Sequence, residues 1–196
     1  MSDTETIRVY DARASEYADV TASSGPDETL QTFMSALPEQ ARVLDLGCGP
    51  GTSAGYMAAA GFEVDAWDAS GEMVALAARI PGVTAKQALF SDLTSVARYD
   101  GVWANFSLLH APHAEMPEHL RAIRTALRPG GLFHIALKEG TGDKRDQLGR
   151  KYSYYTVETL TAVLQDAGLN PGPFRSGVDM GLDGTLASWI STTAHA

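Results

Sequence analysis

The chain predicts a doubly wound α/β domain built on a mostly parallel sheet, and three features carry that prediction. Short apolar strand-like segments alternate with helix-like ones from residue 42 to residue 138, the pattern of parallel strands with covering helices. The first of these strands runs into an acid and three alternating glycines, Val43-Leu-Asp-Leu-Gly-Cys-Gly-Pro-Gly-Thr52, which read as a strand–turn–helix junction. Near the end of the chain, two strand-like stretches flank Gly181-Leu-Asp-Gly184, a turn suited to an antiparallel hairpin.

In order, the strands are expected at Arg42–Leu46, Glu63–Trp67, Val83–Gln87, Gly101–Asn105 and Leu132–Leu137. Helices fit between them at Thr52–Ala60, Gly71–Arg79 and Glu115–Leu127, the last stopped by Arg128-Pro-Gly-Gly131. Residues 1–37 precede the sheet with helical stretches around Asp11–Tyr17 and Glu28–Leu37. A helix at Val157–Ala167 is followed by strands near Phe174–Val178 and Ala187–Thr193. No repeat, low-complexity tract or linker interrupts the pattern, so residues 1–196 are expected to form one domain.

Composition narrows the function. A formal net charge of −9 argues against nucleic acid as the main partner, because polyphosphate binding relies on an excess of Lys and Arg. The single cysteine, Cys48, allows no internal disulfide and fits a reducing compartment. No apolar run reaches membrane-spanning length and the opening Met-Ser-Asp-Thr-Glu is not signal-like, so the expectation is a cytoplasmic protein with no membrane partner.

The glycine spacing separates ligand classes. Dinucleotide loops place a third small residue where Gly47-Cys-Gly-Pro-Gly-Thr52 has threonine, and no Lys-Ser or Lys-Thr follows as a P-loop requires. Asp45, ahead of the glycines, would repel a phosphate and attract an ammonium. The stretch Asp45-Leu-Gly-Cys-Gly-Pro-Gly51 resembles the first motif of the class I S-adenosylmethionine-dependent methyltransferases, a strand ending in D/E-x-G-x-G-x-G.

The resemblance implies a Rossmann-like sheet of seven strands in the order 3-2-1-4-5-7-6, with the cofactor S-adenosylmethionine at the carboxyl ends of the strands. Asp45, Gly47, Cys48, Gly49 and Gly51 would then hold its methionine part. Asp68, about twenty residues beyond the glycines, would accept both ribose hydroxyls, with Ala69 and Met73 beside it. Asp92 would accept the adenine amino hydrogens or cap the turn after it, and Phe90 would pack on the ring. Asn105 closes the fourth strand. It is followed by Phe-Ser-Leu rather than by the prolines of enzymes that methylate bases or amides, which argues for another acceptor.

For a small-molecule substrate, Tyr10 and Tyr17 are candidates because Tyr10-Asp-Ala-Arg-Ala-Ser-Glu-Tyr17 resembles the opening of small-molecule methyltransferases. His110 is the candidate base, or else a packing histidine. The polar run 138–156 reads as a lid whose Arg150, Tyr152 and Tyr154 would clamp an anionic or aromatic substrate, or as a solvated loop. His113, His119 and His134 lack metal-ligand spacing, and no metal is expected. The reading is methyl transfer to a small molecule by in-line displacement. A sensor that binds the cofactor without turnover and a nicotinamide-dependent oxidoreductase are its rivals.

Overall fold

The structure is a computed structural model and describes residues 3–196. Its frame is a parallel run of five strands: β1 (Arg42–Leu46), β2 (Glu63–Asp68), β3 (Val83–Gln87), β4 (Tyr99–Asn105) and β5 (Leu127–Lys138). The central three, β1, β2 and β4, are buried over nearly their whole length, as expected of strands covered on both faces. The sheet is completed by β8 (Asn170–Pro171), β9 (Arg175–Met180) and β10 (Leu186–His195), all antiparallel to their neighbours.

Neighbouring strands run β3-β2-β1-β4-β5-β10-β8, with β9 also paired to β10. This is the expected 3-2-1-4-5-7-6 order, with β10 in seventh place and the sixth strand broken into β8 and β9. The break falls at Pro171-Gly-Pro173, where two prolines withhold the N–H groups that a continuous ladder needs. The sheet therefore has eight strands rather than seven.

Helices cover both faces. On one, α6 (Met116–Ala126) and α7 (Val157–Asp166) bury Leu120, Ile123, Leu160 and Leu164 against β4 and β5. On the other, α3 (Glu28–Ser35), α4 (Thr52–Ala59) and α5 (Gly71–Ala77) bury Leu30, Phe33, Ala54, Met57 and Ala77. Side-chain caps fix the starts of several helices: Asp27 accepts from Leu30 N–H, Ser70 from Met73 N–H and Thr156 from Thr159 N–H.

Three further segments differ from the sequence expectation, the first being β5, which begins at Leu127 rather than Leu132 and so takes in Arg128-Pro-Gly-Gly131. The helical stretch around Asp11–Tyr17 is two helices, α1 (Thr4–Ala12) and α2 (Ala14–Thr21), broken at Arg13, whose φ of −122° and ψ of 20° are not helical. Both apolar and polar faces suit a helix throughout that stretch, so the sequence carries no sign of the break. The polar run after β5 holds a small hairpin, β6 (Asp143–Arg145) and β7 (Lys151–Ser153), rather than a bare loop. This hairpin is fastened to α1: Arg145 donates to both carboxylate oxygens of Asp3 at 2.9 and 2.7 Å, and Lys151 N–H donates to Thr6 Oγ1 at 2.9 Å.

Candidate cofactor and acceptor site

The carboxyl ends of β1, β2, β4 and β5 share one edge of the sheet, and there the chain leaves a cavity of about 560 Å³. Its floor is the glycine turn. Gly47 and Cys48 donate their N–H groups to the Trp67 carbonyl at 2.7 and 2.9 Å, which pins the turn to the end of β2. Gly47 has φ +78°, and a Cβ there would collide with the Ser107 side chain, whose hydroxyl donates to the Leu46 carbonyl at 2.5 Å. Gly51, at φ +88°, serves a different purpose. A Cβ on it would meet Ala77 and Ile80 at 2.9 Å, so it lets α4 start hard against α5.

Of the residues singled out in the sequence, Asp45, Gly47, Cys48 and Gly49 line the cavity from β1 and the turn. Asp68, Ala69 and Met73 line it from β2 and α5, and Phe90 and Asn105 from the ends of the flanking segments. Tyr10, Tyr17 and His110 close it from above. Gly51 and Asp92 are not in its wall. Asp92 accepts from Leu89 N–H at 2.8 Å and thereby shapes its own short turn.

Two buried carboxylates dominate the electrostatics. Asp68 accepts from Gly49 N–H at 2.9 Å and from Ser70 N–H at 2.8 Å, one bond to each oxygen. Burial nonetheless raises its pKa. Asp45 is 3% exposed, and its Oδ2 is buried with no hydrogen-bond partner. Burial, and then the charge of Asp68, push its pKa up to about 7. Two acids facing one cavity, one with an orphaned oxygen, form a site that gains from a cation carrying N–H or O–H donors. S-adenosylmethionine, with its ammonium, sulfonium and ribose hydroxyls, fits that donor set.

The roof is held by a hydrogen-bonded chain. His110 Nδ1 lies 2.6 Å from the Lys151 carbonyl, which can only accept, so Nδ1 carries the proton. Nε2 is then the acceptor for the Tyr10 hydroxyl at 2.9 Å. Burial lowers the His110 pKa to about 4, so the ring is neutral at physiological pH and its lone pair is already engaged. That arrangement suits holding Tyr10 in place better than accepting a substrate proton.

Beyond Tyr10 and Tyr17 lies a second, smaller compartment of about 170 Å³, which shares those two walls and Phe106 with the larger one. Arg150 and Tyr152 line it, whereas Tyr154 lies outside, with Lys144 Nζ 5.9 Å above its ring. Arg150 is not a free clamp. It is 3% exposed and bound to Asp146, with Nε 2.8 Å from Oδ2, and it also reaches the Tyr10 hydroxyl at 3.4 Å. Among the wall residues the sequence reading missed here are Phe106, Lys138, Asp179 and Trp189. Lys138 had a visible signal, since it is the last residue of a parallel strand. Phe106 had a weaker one, and its φ of +54° is the kind of backbone strain that clusters at functional sites. Trp189, on the far antiparallel strand, had none.

Residues 43–131 match the methyltransferase domain family. Over 107 residues the chain is 34% identical to the malonyl-[acyl-carrier protein] O-methyltransferase of Enterobacter lignolyticus, a match covering 52% of this chain and 41% of that protein. The chain thus spans about two fifths of the length of the curated relatives it matches. A solved structure of Burkholderia thailandensis 1,6-didemethyltoxoflavin-N1-methyltransferase, with 1,6-didemethyltoxoflavin and S-adenosylhomocysteine bound, superposes with a TM-score of 0.80 at 26% identity. It covers 97% of this chain and 87% of that one. TehB from Haemophilus influenzae shares the fold at 13% identity, with a TM-score of 0.73 over 93% of this chain and 66% of its own. Residues 43–131 thus carry a methyltransferase domain, on a chain that follows a solved methyltransferase structure over nearly its whole length.

Proposed function

We propose that the chain transfers the methyl group of S-adenosylmethionine to a small-molecule acceptor held in the compartment beyond Tyr10 and Tyr17. The observation that supports this most directly is the pair of buried acids, Asp45 and Asp68, in a glycine-floored cavity with an unpaired carboxylate oxygen. When bound, the cofactor supplies an activated methyl on a positively charged sulfur. The chain's own work is to bind, orient and exclude water, and such positioning contributes on the order of 7–11 kcal/mol.

In this reading Asp45 meets the ammonium, and the turn from Gly47 to Gly49 approaches the methionine part. Asp68 retains lone pairs for the two ribose hydroxyls beyond its bonds to Gly49 and Ser70. Met73 and Phe90 pack the adenine end. Residues 1–37 act as a cap and residues 138–156 as a lid, joined directly through Asp3–Arg145 and, by way of His110, through Tyr10 and the Lys151 carbonyl. The small acceptor is supported by the size of the second compartment, about 170 Å³, and by the small molecule, 1,6-didemethyltoxoflavin, bound in the Burkholderia enzyme.

Isothermal titration with S-adenosylmethionine, S-adenosylhomocysteine and NAD tests the assignment. Micromolar binding of the first two and none of NAD is expected. Asp68→Ala is expected to lose most of that affinity, and near-wild-type binding by this variant would refute the ribose role.

A further inference from the structure

We propose that the smaller compartment is built for a flat aromatic or heteroaromatic anion, with Lys138 as its counter-ion. The inference rests on the methyl-transfer reading only in calling that molecule the acceptor.

Two cations and one exposed acid, Asp179, border the compartment, and the cations are in different states. Arg150 is committed to Asp146, with which it forms an ion pair 2.6 Å long. Lys138 has no carboxylate within 4.0 Å among the described residues. Its Nζ instead lies 3.8 Å over the centroid of the Tyr152 ring. Asp183 and Asp146 act on it only through space: Asp183 accepts from Thr185 N–H at 3.2 Å and Thr185 Oγ1 at 2.9 Å, and Asp146 is paired with Arg150. A half-buried ammonium held only by an aromatic face has lost water without gaining an ionic partner. An anion entering the compartment would supply one.

The walls specify the rest of the ligand. Tyr10 and Tyr17 meet edge to face with centroids 5.5 Å apart, and Phe106 and Trp189 do the same at 6.1 Å. Paired rings at right angles present both faces and edges to a planar guest, for which stacking and T-shaped contacts are favourable. Trp189 sits directly across the ladder from Lys138, so the charge and this aromatic wall belong to adjacent positions of β5 and β10. A volume of about 170 Å³ is well below the roughly 300–1,000 Å³ of drug-sized pockets, which limits the guest to one or two rings. Because Tyr10, Tyr17 and Phe106 also wall the larger cavity, a guest here lies against the cofactor chamber.

The test is a calorimetric titration of the full chain, with and without S-adenosylhomocysteine. The panel pairs one- and two-ring aromatic carboxylates and acidic phenols with their neutral amides and methyl ethers. Salicylate against salicylamide is the first pair, and cyclohexanecarboxylate is the non-aromatic control. At least one aromatic anion is expected to bind ~10-fold or more tightly than its neutral partner, and more tightly than the control. Lys138→Gln is expected to bring that preference close to unity, and Lys138→Arg to keep it. A panel in which no anion outbinds its neutral partner overturns the proposal. So does a preference that survives in a folded Lys138→Gln protein. If that variant does not fold, the wild-type ratios and Lys138→Arg decide. Failure of S-adenosylhomocysteine to bind, with the anion preference intact, would remove the methyl-transfer reading and leave the anion site standing. The reverse outcome would do the opposite.

Discussion

Tyr10 donates its hydroxyl proton to His110 Nε2 at 2.9 Å, joining residues 100 apart in the chain. The contact ties α1 to the turn after β4, and His110 Nδ1 extends the tie to the β6–β7 hairpin through the Lys151 carbonyl. One imidazole thus joins the sheet, α1 and the β6–β7 hairpin.

Tyr10→Phe should leave Nε2 buried without a donor, which costs about 1–3 kcal/mol of stability. Urea denaturation checks this. Binding of S-adenosylhomocysteine should change far less than in Asp68→Ala, because Tyr10 holds the roof rather than the cofactor's polar groups.

With its pKa pushed up to about 7, the Asp45 carboxyl should give binding of a cationic ligand a pH dependence. A cationic ligand needs the ionised form, so affinity should fall as pH drops below 7, and binding near pH 7 should release protons. Calorimetry in buffers of different ionisation enthalpy measures that release. Asp45→Asn should bind weakly and lose the dependence.

The same group works against stability. A carboxyl whose pKa is higher folded than unfolded binds its proton more tightly in the folded state. Its contribution is present below the unfolded value of 3.8 and is lost as pH rises toward 7, by on the order of 4 kcal/mol. His110 has the opposite sign. Its pKa falls from 6.5 to about 4, so folding loses stability as pH falls through that interval. In the ligand-free protein the two slopes oppose each other. Asp45→Asn should therefore be more stable than wild type at pH 8 and markedly more acid-sensitive between pH 6.5 and 4, as thermal melts would show.

Gly47→Ala should fail on two counts, a φ of +78° and a collision with Ser107. A loss of more than about 1 kcal/mol is expected from the backbone strain alone. Adding Ser107→Gly should recover part of the stability but not all of it. Denaturation of the single and double variants separates the two effects.

Arg145→Ala should leave the melting temperature nearly unchanged, because its ion pairs with Asp3 and Glu5 are at the surface. Amide exchange across residues 143–153 should quicken, since those pairs fasten the hairpin to α1. Unchanged exchange would show that the Thr6 and His110 contacts hold the hairpin by themselves.

The sequence by itself determined the five parallel strands, their covering helices and the edge of the sheet at which the larger cavity lies. These are local properties: apolar runs of strand length, capping residues, and the spacing of Gly47, Gly49 and Gly51 after Asp45. Positions at strand ends are equally local, so Asp45, Asp68 and Asn105 could be placed at one edge without knowing any contact. Only the tertiary structure decided what long-range pairing controls. It split α1 from α2 at Arg13, broke the sixth strand at Pro171 and Pro173, and tied the β6–β7 hairpin to the start of α1. It also settled the charge states. Arg150 and Lys138 are both cations near tyrosines in the sequence, but Asp146 claims the first and no acid among the described residues pairs with the second. Burial, which no residue type reveals, moved Asp45 up to about 7 and His110 down to about 4, because desolvation depends on what the rest of the chain packs around a group.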